Sequence, residues 1–299
     1  MTLTSKTLLF FGNERLVSGL KKTNAPVLRA LIENGYTISA VISHHTDGNS
    51  RTNRPLEVAE IAKEHNIPVL LPNKPAEIID TLARFNAEAA ILVAYGRIIP
   101  QRVIDLFPKG IINIHPSLLP KYRGPTPIES AIANGDGETG VSIMQLTAGM
   151  DEGPIYAQTR IPLVGTETKF ELYDQLAAKS TQLLINSLPS ILDGSLLPTT
   201  QDSAKATYCQ LLTKADGRLK PAIQTATEAE RLVRAYLGFP KTKLRIGSHD
   251  IIVTKAHVVK QPSQALDIPF KEDYLSVDEL IAPSGRTISA EAFLRGYMI

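Results

Sequence analysis

The sequence holds a single cysteine, Cys209, in 299 residues, which excludes an internal disulfide. The N-terminal Met1–Lys6 segment lacks the basic start, apolar middle and small-residue cleavage site of a secretory leader, so a reducing cytoplasm is the expected compartment. No apolar run approaches the roughly 18 residues of a membrane span, and no membrane partner is expected. Tryptophan is absent. The net charge is only +2, which excludes an indiscriminate polyanion binder and makes any nucleic-acid surface local. Gly12-Asn13-Glu14-Arg15 is not a Gly-x-Gly-x-x-Gly loop and no Walker motif occurs, so an α/β pattern here need not mean NAD or ATP. Ser117 lacks the Gly-x-Ser-x-Gly setting of a nucleophile elbow. His44, His45, His65, His249 and His257 show no metal-ligand spacing, and no metal is expected. Internal repeats and low-complexity segments are missing as well.

What is present is a β–α–β alternation. Leu8–Phe11, Thr37–Ser43, Val69–Leu71, Ala89–Ala94 and Ile111–His115 read as strands. Pro26–Asn34, Leu56–His65, Glu77–Phe85 and Ile98–Phe107 read as the helices between them. This predicts a mostly parallel, doubly wound sheet with its ligand site outside the carboxyl ends of the strands. Past residue 127 the pattern changes. Ile128–Asn134 reads as a short helix, Gly140–Leu146 and Ile155–Ile161 as antiparallel strands, and Phe170–Leu192 as a long amphipathic helix stopped by Gly194. The expected division is a domain over 1–194, a polar linker over 195–207 and a small β-rich domain over 208–299. Residues 205–260 carry eleven Lys/Arg against four Asp/Glu, and 261–299 three against six. The basic half is either a polyanion-binding face or a solvated lysine-rich surface.

The chemistry concentrates in INIHPSLLPKYRGPTPI, residues 112–128. Asn113 and His115 lie two apart on a predicted strand, hence on one face, and Pro116 ends the strand beside them. The pair therefore stands at a carboxyl end, where the site is expected. Asn supplies a neutral N–H for a developing oxyanion, and His a base whose ordinary pKa is near neutral. If the attacking group is itself an amine, no enzyme nucleophile is required. Asp151, in the loop Gly149-Met150-Asp151-Glu152-Gly153, reads as a turn carboxylate that gains a role if it meets the imidazole.

The stretch 112–128, with Gly140–Gln145 and Met150–Ile155, resembles the formyltetrahydrofolate-dependent transferases, whose core is Asn-x-His-x-Ser-Leu-Leu-Pro followed by an Asp-x-Gly loop. The resemblance implies a Rossmann-like domain followed by a small OB-like one, and transfer of formyl from 10-formyltetrahydrofolate to an amine without a metal. It implies Asn113, His115 and Asp151 as the catalytic trio. Ser117, Leu118, Leu119 and Pro120 would line the folate site, and Val93, Ala94, Tyr95 and Gly96 would border the pterin. Within the family the similarity runs to members acting on methionyl-tRNA. It continues through Ala206-Thr207-Tyr208, Leu212–Lys214 with Asp216-Gly217-Arg218, and Arg234-Ala235-Tyr236 with Gly238-Phe239-Pro240. Arg51, Arg54, Lys214, Arg218, Lys220, Lys241 and Lys243 would then face tRNA, and a monomer is the family expectation.

The chain departs from the family in places. Gly12–Asn24 replaces the usual Gly-Thr-Pro turn. The loop His44–Arg54, normally rich in Lys, Arg and Gly, holds only Arg51 and Arg54 against Asp47. Lys121-Tyr122-Arg123-Gly124 stands where Arg-Trp-Arg-Gly is usual. Competing readings are an amino nucleotide sugar as acceptor, a purine-pathway transferase, a formyl-folate hydrolase, or a non-catalytic RNA-binding chain on the same fold.

Overall fold

A computed structural model describes residues 6–44, 56–263 and 266–297. Five parallel strands run in the first sheet: β1 (Thr7–Gly12), β2 (Thr37–Ile42), β3 (Val69–Leu70), β4 (Ala89–Val93) and β5 (Ile111–His115). Two antiparallel strands, β6 (Glu138–Gln145) and β7 (Ile155–Pro162), extend it in the order β3-β2-β1-β4-β5-β6-β7. Leu8, Leu9, Phe10 and Phe11 have no exposure, because helices cover both faces of this sheet. The helices are α1 (Pro26–Glu33), α2 (Glu57–Glu64), α3 (Ile79–Arg84), α4 (Gln101–Ile104), α5 (Pro127–Asn134) and α6 (Lys169–Asp193). Strand order turns back between β1 and β4, so the binding crevice of this topology opens at their carboxyl ends, next to that of β5.

Two elements differ from the sequence-based expectation. The helix expected over 98–107 contracts to α4, because Pro100 sets its start and the chain turns at Asp105. The helix expected over 77–85 begins as a 3-10 turn at Pro75–Ile78 before α3. The long helix α6 extends its predicted span by one residue at each end. Thr168 and Glu171 form a reciprocal capping box at its start, and Gly194 in the left-handed region (φ 82°) ends it.

The second unit is small and β-rich, as expected. β8 (Thr242–Ile246), β9 (His249–Val259), β10 (Asp267–Pro269) and β11 (Tyr274–Ile281) form an antiparallel sheet in the order β10-β11-β9-β8, and β12 (Thr287–Ser289) pairs with β11. Its core gathers Val233, Leu244, Val253, Leu275 and Phe293 from these strands and from the helices α7 (Ala226–Ala235) and α8 (Ala290–Gly296), with Leu219 from the segment before α7. α7 packs on α5 of the first unit. Among the described residues, no helix is long and apolar enough to cross a membrane.

The unusual loop after β1 has its own anchor. Gly12 sits at φ 131°, and a Cβ there would lie 1.8 Å from the Val93 carbonyl oxygen, so only glycine lets β1 leave the sheet this close to β4. Glu14, 2% exposed, accepts hydrogen bonds from Val27 N (2.9 Å) and Leu28 N (2.8 Å), and so caps α1, whose own N-cap, Ala25, has no side chain to do it. Burial pushes the Glu14 carboxyl up to about 7, against the pull of those two hydrogen bonds. A raised carboxyl pKa means that the folded protein holds a proton which the unfolded chain releases. Stability from this group is therefore full below pH 4.5 and is lost as pH rises to about 7. The loss is roughly 3 kcal/mol. Urea midpoints compared at pH 5 and pH 8 are expected to show it, and Glu14→Gln to flatten that difference. An unchanged difference in the variant would assign the slope to another group.

Candidate active site

β5 is buried on both faces and delivers Asn113 and His115 to the crevice, each 5% exposed. Asn113 sits in register between Leu92 of β4 and Met144 of β6, and His115 opposite Ser142. Among the described residues the Asn113 carboxamide has no side-chain hydrogen bond, so its N–H groups are uncommitted. The imidazole is placed by main chain. Its Nε2 lies 2.8 Å from the Tyr122 carbonyl oxygen, which can only accept, so Nε2 carries a proton, and in the neutral ring the lone pair falls on Nδ1.

Asp151 faces that second nitrogen. Its Oδ2 is 3.7 Å from Nδ1, too long for a hydrogen bond, and accepts the Gly124 N–H at 2.8 Å. The tautomer of His115 is thus set by Tyr122, and the carboxylate waits where an imidazolium charge would appear. Asp151 is itself in the left-handed region (φ 50°). Gln201 holds its loop by donating to the carbonyls of Asp151 (2.8 Å) and Gly153 (2.7 Å).

The remaining site candidates fall on neighbouring strand ends. Val93 is buried and Ala94 is left-handed (φ 50°), turning the chain so that Tyr95 is buried and Gly96 exposed. Phe11 and His44 meet the Tyr95 ring edge-on, and its hydroxyl is buried without a hydrogen-bond partner among the described residues. Ser117 is not turned toward the crevice opening. Its hydroxyl, without exposure, donates to the Lys121 carbonyl at 2.6 Å. Leu119 is buried, while Leu118 and Pro120 are half-buried. Lys214, Arg218, Lys220 and Lys243 are exposed and Lys241 is half-buried. A parallel bridge joins Arg218 to Lys243, which gathers part of this basic set along one edge of β8, and Arg245 extends the same exposed face. Arg51 and Arg54 lie outside the described residues. Among those residues, no group of three or more His, Cys, Asp or Glu could hold a metal ion.

The stretch after α6 contributes more than sequence reasoning found. Ile155 and Thr199 pair as an antiparallel bridge, and Thr207 exchanges hydrogen bonds with Pro120 and Arg123. Cys209 N donates to the Arg123 carbonyl, and the buried Cys209 thiol sits against Thr126 N (3.3 Å). Burial pushes that thiol's pKa up, the reverse of what a nucleophile needs. Residues 199–210 therefore strap together the two loops that hold His115 and Asp151.

A sequence model of the formyl transferase family matches residues 15–188, more than half of the chain. The methionyl-tRNA formyltransferase of Pseudoalteromonas translucida is 36% identical over 244 residues, 80% of this chain and 76% of that protein. The methionyl-tRNA formyltransferase of Alcanivorax borkumensis is 33% identical over 290 residues, 91% of this chain and 88% of that one. Among solved structures, the N-formyltransferase from Helicobacter canadensis, in complex with folinic acid and dTDP-3-aminofucose, superposes with a TM-score of 0.68 at 16% identity. That match covers 91% of this chain and 98% of that one, and at this identity it speaks to the fold alone. The chain is a transferase and belongs to the formyl transferase family, as a relative of the methionyl-tRNA formyltransferases.

Proposed function

We propose that this enzyme transfers the formyl group of 10-formyltetrahydrofolate to the amine of methionyl-tRNA, with Asn113, His115 and Asp151 as the reacting constellation. The observation that carries the reading is the buried His115. One nitrogen is committed to a carbonyl, and the other, which carries the lone pair of the neutral ring, faces a carboxylate at the carboxyl end of a central strand. The folate supplies a formyl carbon on an aniline-like nitrogen that leaves readily. Residues at the end of β4 fit such a ligand. Gly96 is exposed in the left-handed region (φ 70°), and the Tyr95 hydroxyl, without a hydrogen-bond partner among the described residues, is the kind of orphan that a polar ring edge would satisfy.

Each residue then has one task. Asn113 donates an N–H to the formyl oxygen as charge builds on it. His115 Nδ1 takes the proton that the acceptor amine loses. The resulting imidazolium lies between the Tyr122 carbonyl and the Asp151 carboxylate, which stabilise it together, and its proton then passes to the folate nitrogen as the bond from that nitrogen to the formyl carbon breaks. Residues 1–194 would carry this chemistry, 195–207 the connection, and 208–299 the RNA-facing unit. There Lys214, Arg218, Lys220, Lys241 and Lys243, joined by Arg51 and Arg54, would neutralise tRNA phosphates.

The test offers labelled 10-formyltetrahydrofolate with methionyl-tRNA and, in parallel, with a 4-amino nucleotide sugar. Label on methionyl-tRNA, with a KM that climbs steeply with salt, is the expected result. Label on the sugar alone would overturn the acceptor and leave the trio standing. Formate released without an acceptor would replace the transferase by a hydrolase.

A further inference from the structure

Arg123 takes no part in the steps above, although both of its chain neighbours hold residues of the site. The residue before it gives its carbonyl to His115, and the residue after it gives its N–H to Asp151. Its own side chain is 2% exposed. A guanidinium is charged at any working pH, and a buried charge without a counter-ion is costly. Yet among the described residues no carboxylate pairs with it. Nε and Nη2 donate to Gln201 Oε1 at 3.1 and 2.9 Å, and Nη1 donates to the Tyr208 hydroxyl at 3.1 Å.

Tyr208 is the outlet of that charge. It pairs with Arg123 as a β-bridge, so the two backbones run side by side, about 5 Å apart. The guanidinium carbon stands 5.8 Å over the phenol ring, while 62% of the residue stays exposed. Burying the strap around an aromatic left this open calls for an explanation, because Thr207 before it and Cys209 after it are both committed to the loops. A phenol oxygen that accepts from a guanidinium has its O–H left to give, and the charge behind it strengthens that donor. The result is a charge-assisted donor and an exposed ring on the strap segment that pairs with the loop holding His115.

We propose that Tyr208, backed by Arg123, is the subsite for the phosphate-bearing terminal nucleotide of the acceptor. The hydroxyl donates to a phosphate oxygen, which supplies the negative charge that Arg123 lacks, and the ring gives a stacking face to the base. The inference rests on the acceptor being an aminoacylated RNA, and it names where that RNA's end is held.

Tyr208→Phe removes the donor and keeps the ring, and Tyr208→Leu removes both. With methionyl-tRNA varied at saturating folate, Tyr208→Phe is expected to raise the acceptor KM about tenfold. Tyr208→Leu should raise it further, with kcat and the folate KM within about twofold of wild type in both. A strap that merely braces the loops would instead change kcat or the folate KM, and either pattern, or an unchanged acceptor KM, overturns the proposal. If wild type formylates no aminoacyl-RNA, the acceptor reading has failed. The subsite is then judged by titrating the dinucleotide cytidylyl-adenosine into both proteins. Weaker binding to Tyr208→Phe supports it, and equal binding, or none to wild type, overturns it.

Discussion

His115→Ala and Asn113→Ala are each expected to lower kcat for formyl transfer by about 10²–10³ with little change in either KM. The two act on the same event from adjacent positions. In the proposed mechanism Asn113 answers the charge that appears on the formyl oxygen, and His115 takes the proton that the amine must lose. Because they act together, the double variant should lie far less than the product of the two effects below wild type. His115 also has a structural duty, since its Nε2–H satisfies the buried Tyr122 carbonyl. His115→Gln separates the duties: an amide N–H can still reach that carbonyl, but it offers no base. It is therefore expected to unfold like wild type in urea and to turn over as poorly as His115→Ala. Wild-type turnover in any of these variants, purified and folded, would remove the trio from the mechanism. Asp151→Asn should do less harm than losing the base, because the carboxylate stands 3.7 Å away and acts on the imidazolium rather than on the reacting atoms.

The parts of this site that were legible in sequence are those where side-chain identity does the work. Asn113 and His115 stand out because a strand repeats every two residues and Pro116 stops it at the right place. Asp151 stands out through its glycine neighbours, and Gly153 proves indispensable: a Cβ there would lie 1.9 Å from the Gln145 carbonyl oxygen. What stayed hidden is main-chain chemistry. The Tyr122 carbonyl and the Gly124 N–H, which position His115 and Asp151, would be offered by almost any residue, so no letter marks them. The strap was misleading for a different reason. The Gln201 and Thr207 side chains hydrogen-bond to the loops that hold Asp151 and His115, and polarity with one proline looks the same as a solvated linker. Glu14 shows the same limit. Pro26 marks where α1 begins, but its cap comes from twelve residues upstream, beyond the reach of local capping rules.

Lys169→Met is expected to destabilise the protein by about 3–5 kcal/mol, read as a lower urea midpoint. Lys169 opens α6, where the helix dipole disfavours a cation, so helix formation does not explain it. Its role is tertiary. The ammonium has no exposure, donates to the Phe239 carbonyl of the second unit at 2.7 Å, and stands 3.5 Å from Glu129 of α5. Burial pushes its pKa down, and the Glu129 carboxylate only partly offsets that. Glu129, 1% exposed, uses Oε1 for the Ser18 N–H and hydroxyl, while Oε2 has no hydrogen-bond partner among the described residues. Removing the lysine strands that carboxylate in the interior and leaves a carbonyl of the second unit unpaired, and both costs fall at the junction of the two units. Adding Glu129→Gln to Lys169→Met should recover a large part of the loss, because the amide keeps an oxygen for Ser18 and carries no charge. The sign of that coupling is the test. If the double variant is as unstable as the sum of the singles, the stranded charge is not the cause, and the lysine matters only for its hydrogen bond to Phe239. If it recovers, Lys169 and Glu129 act as a neutralised pair that fixes how the basic second unit is carried against the catalytic sheet.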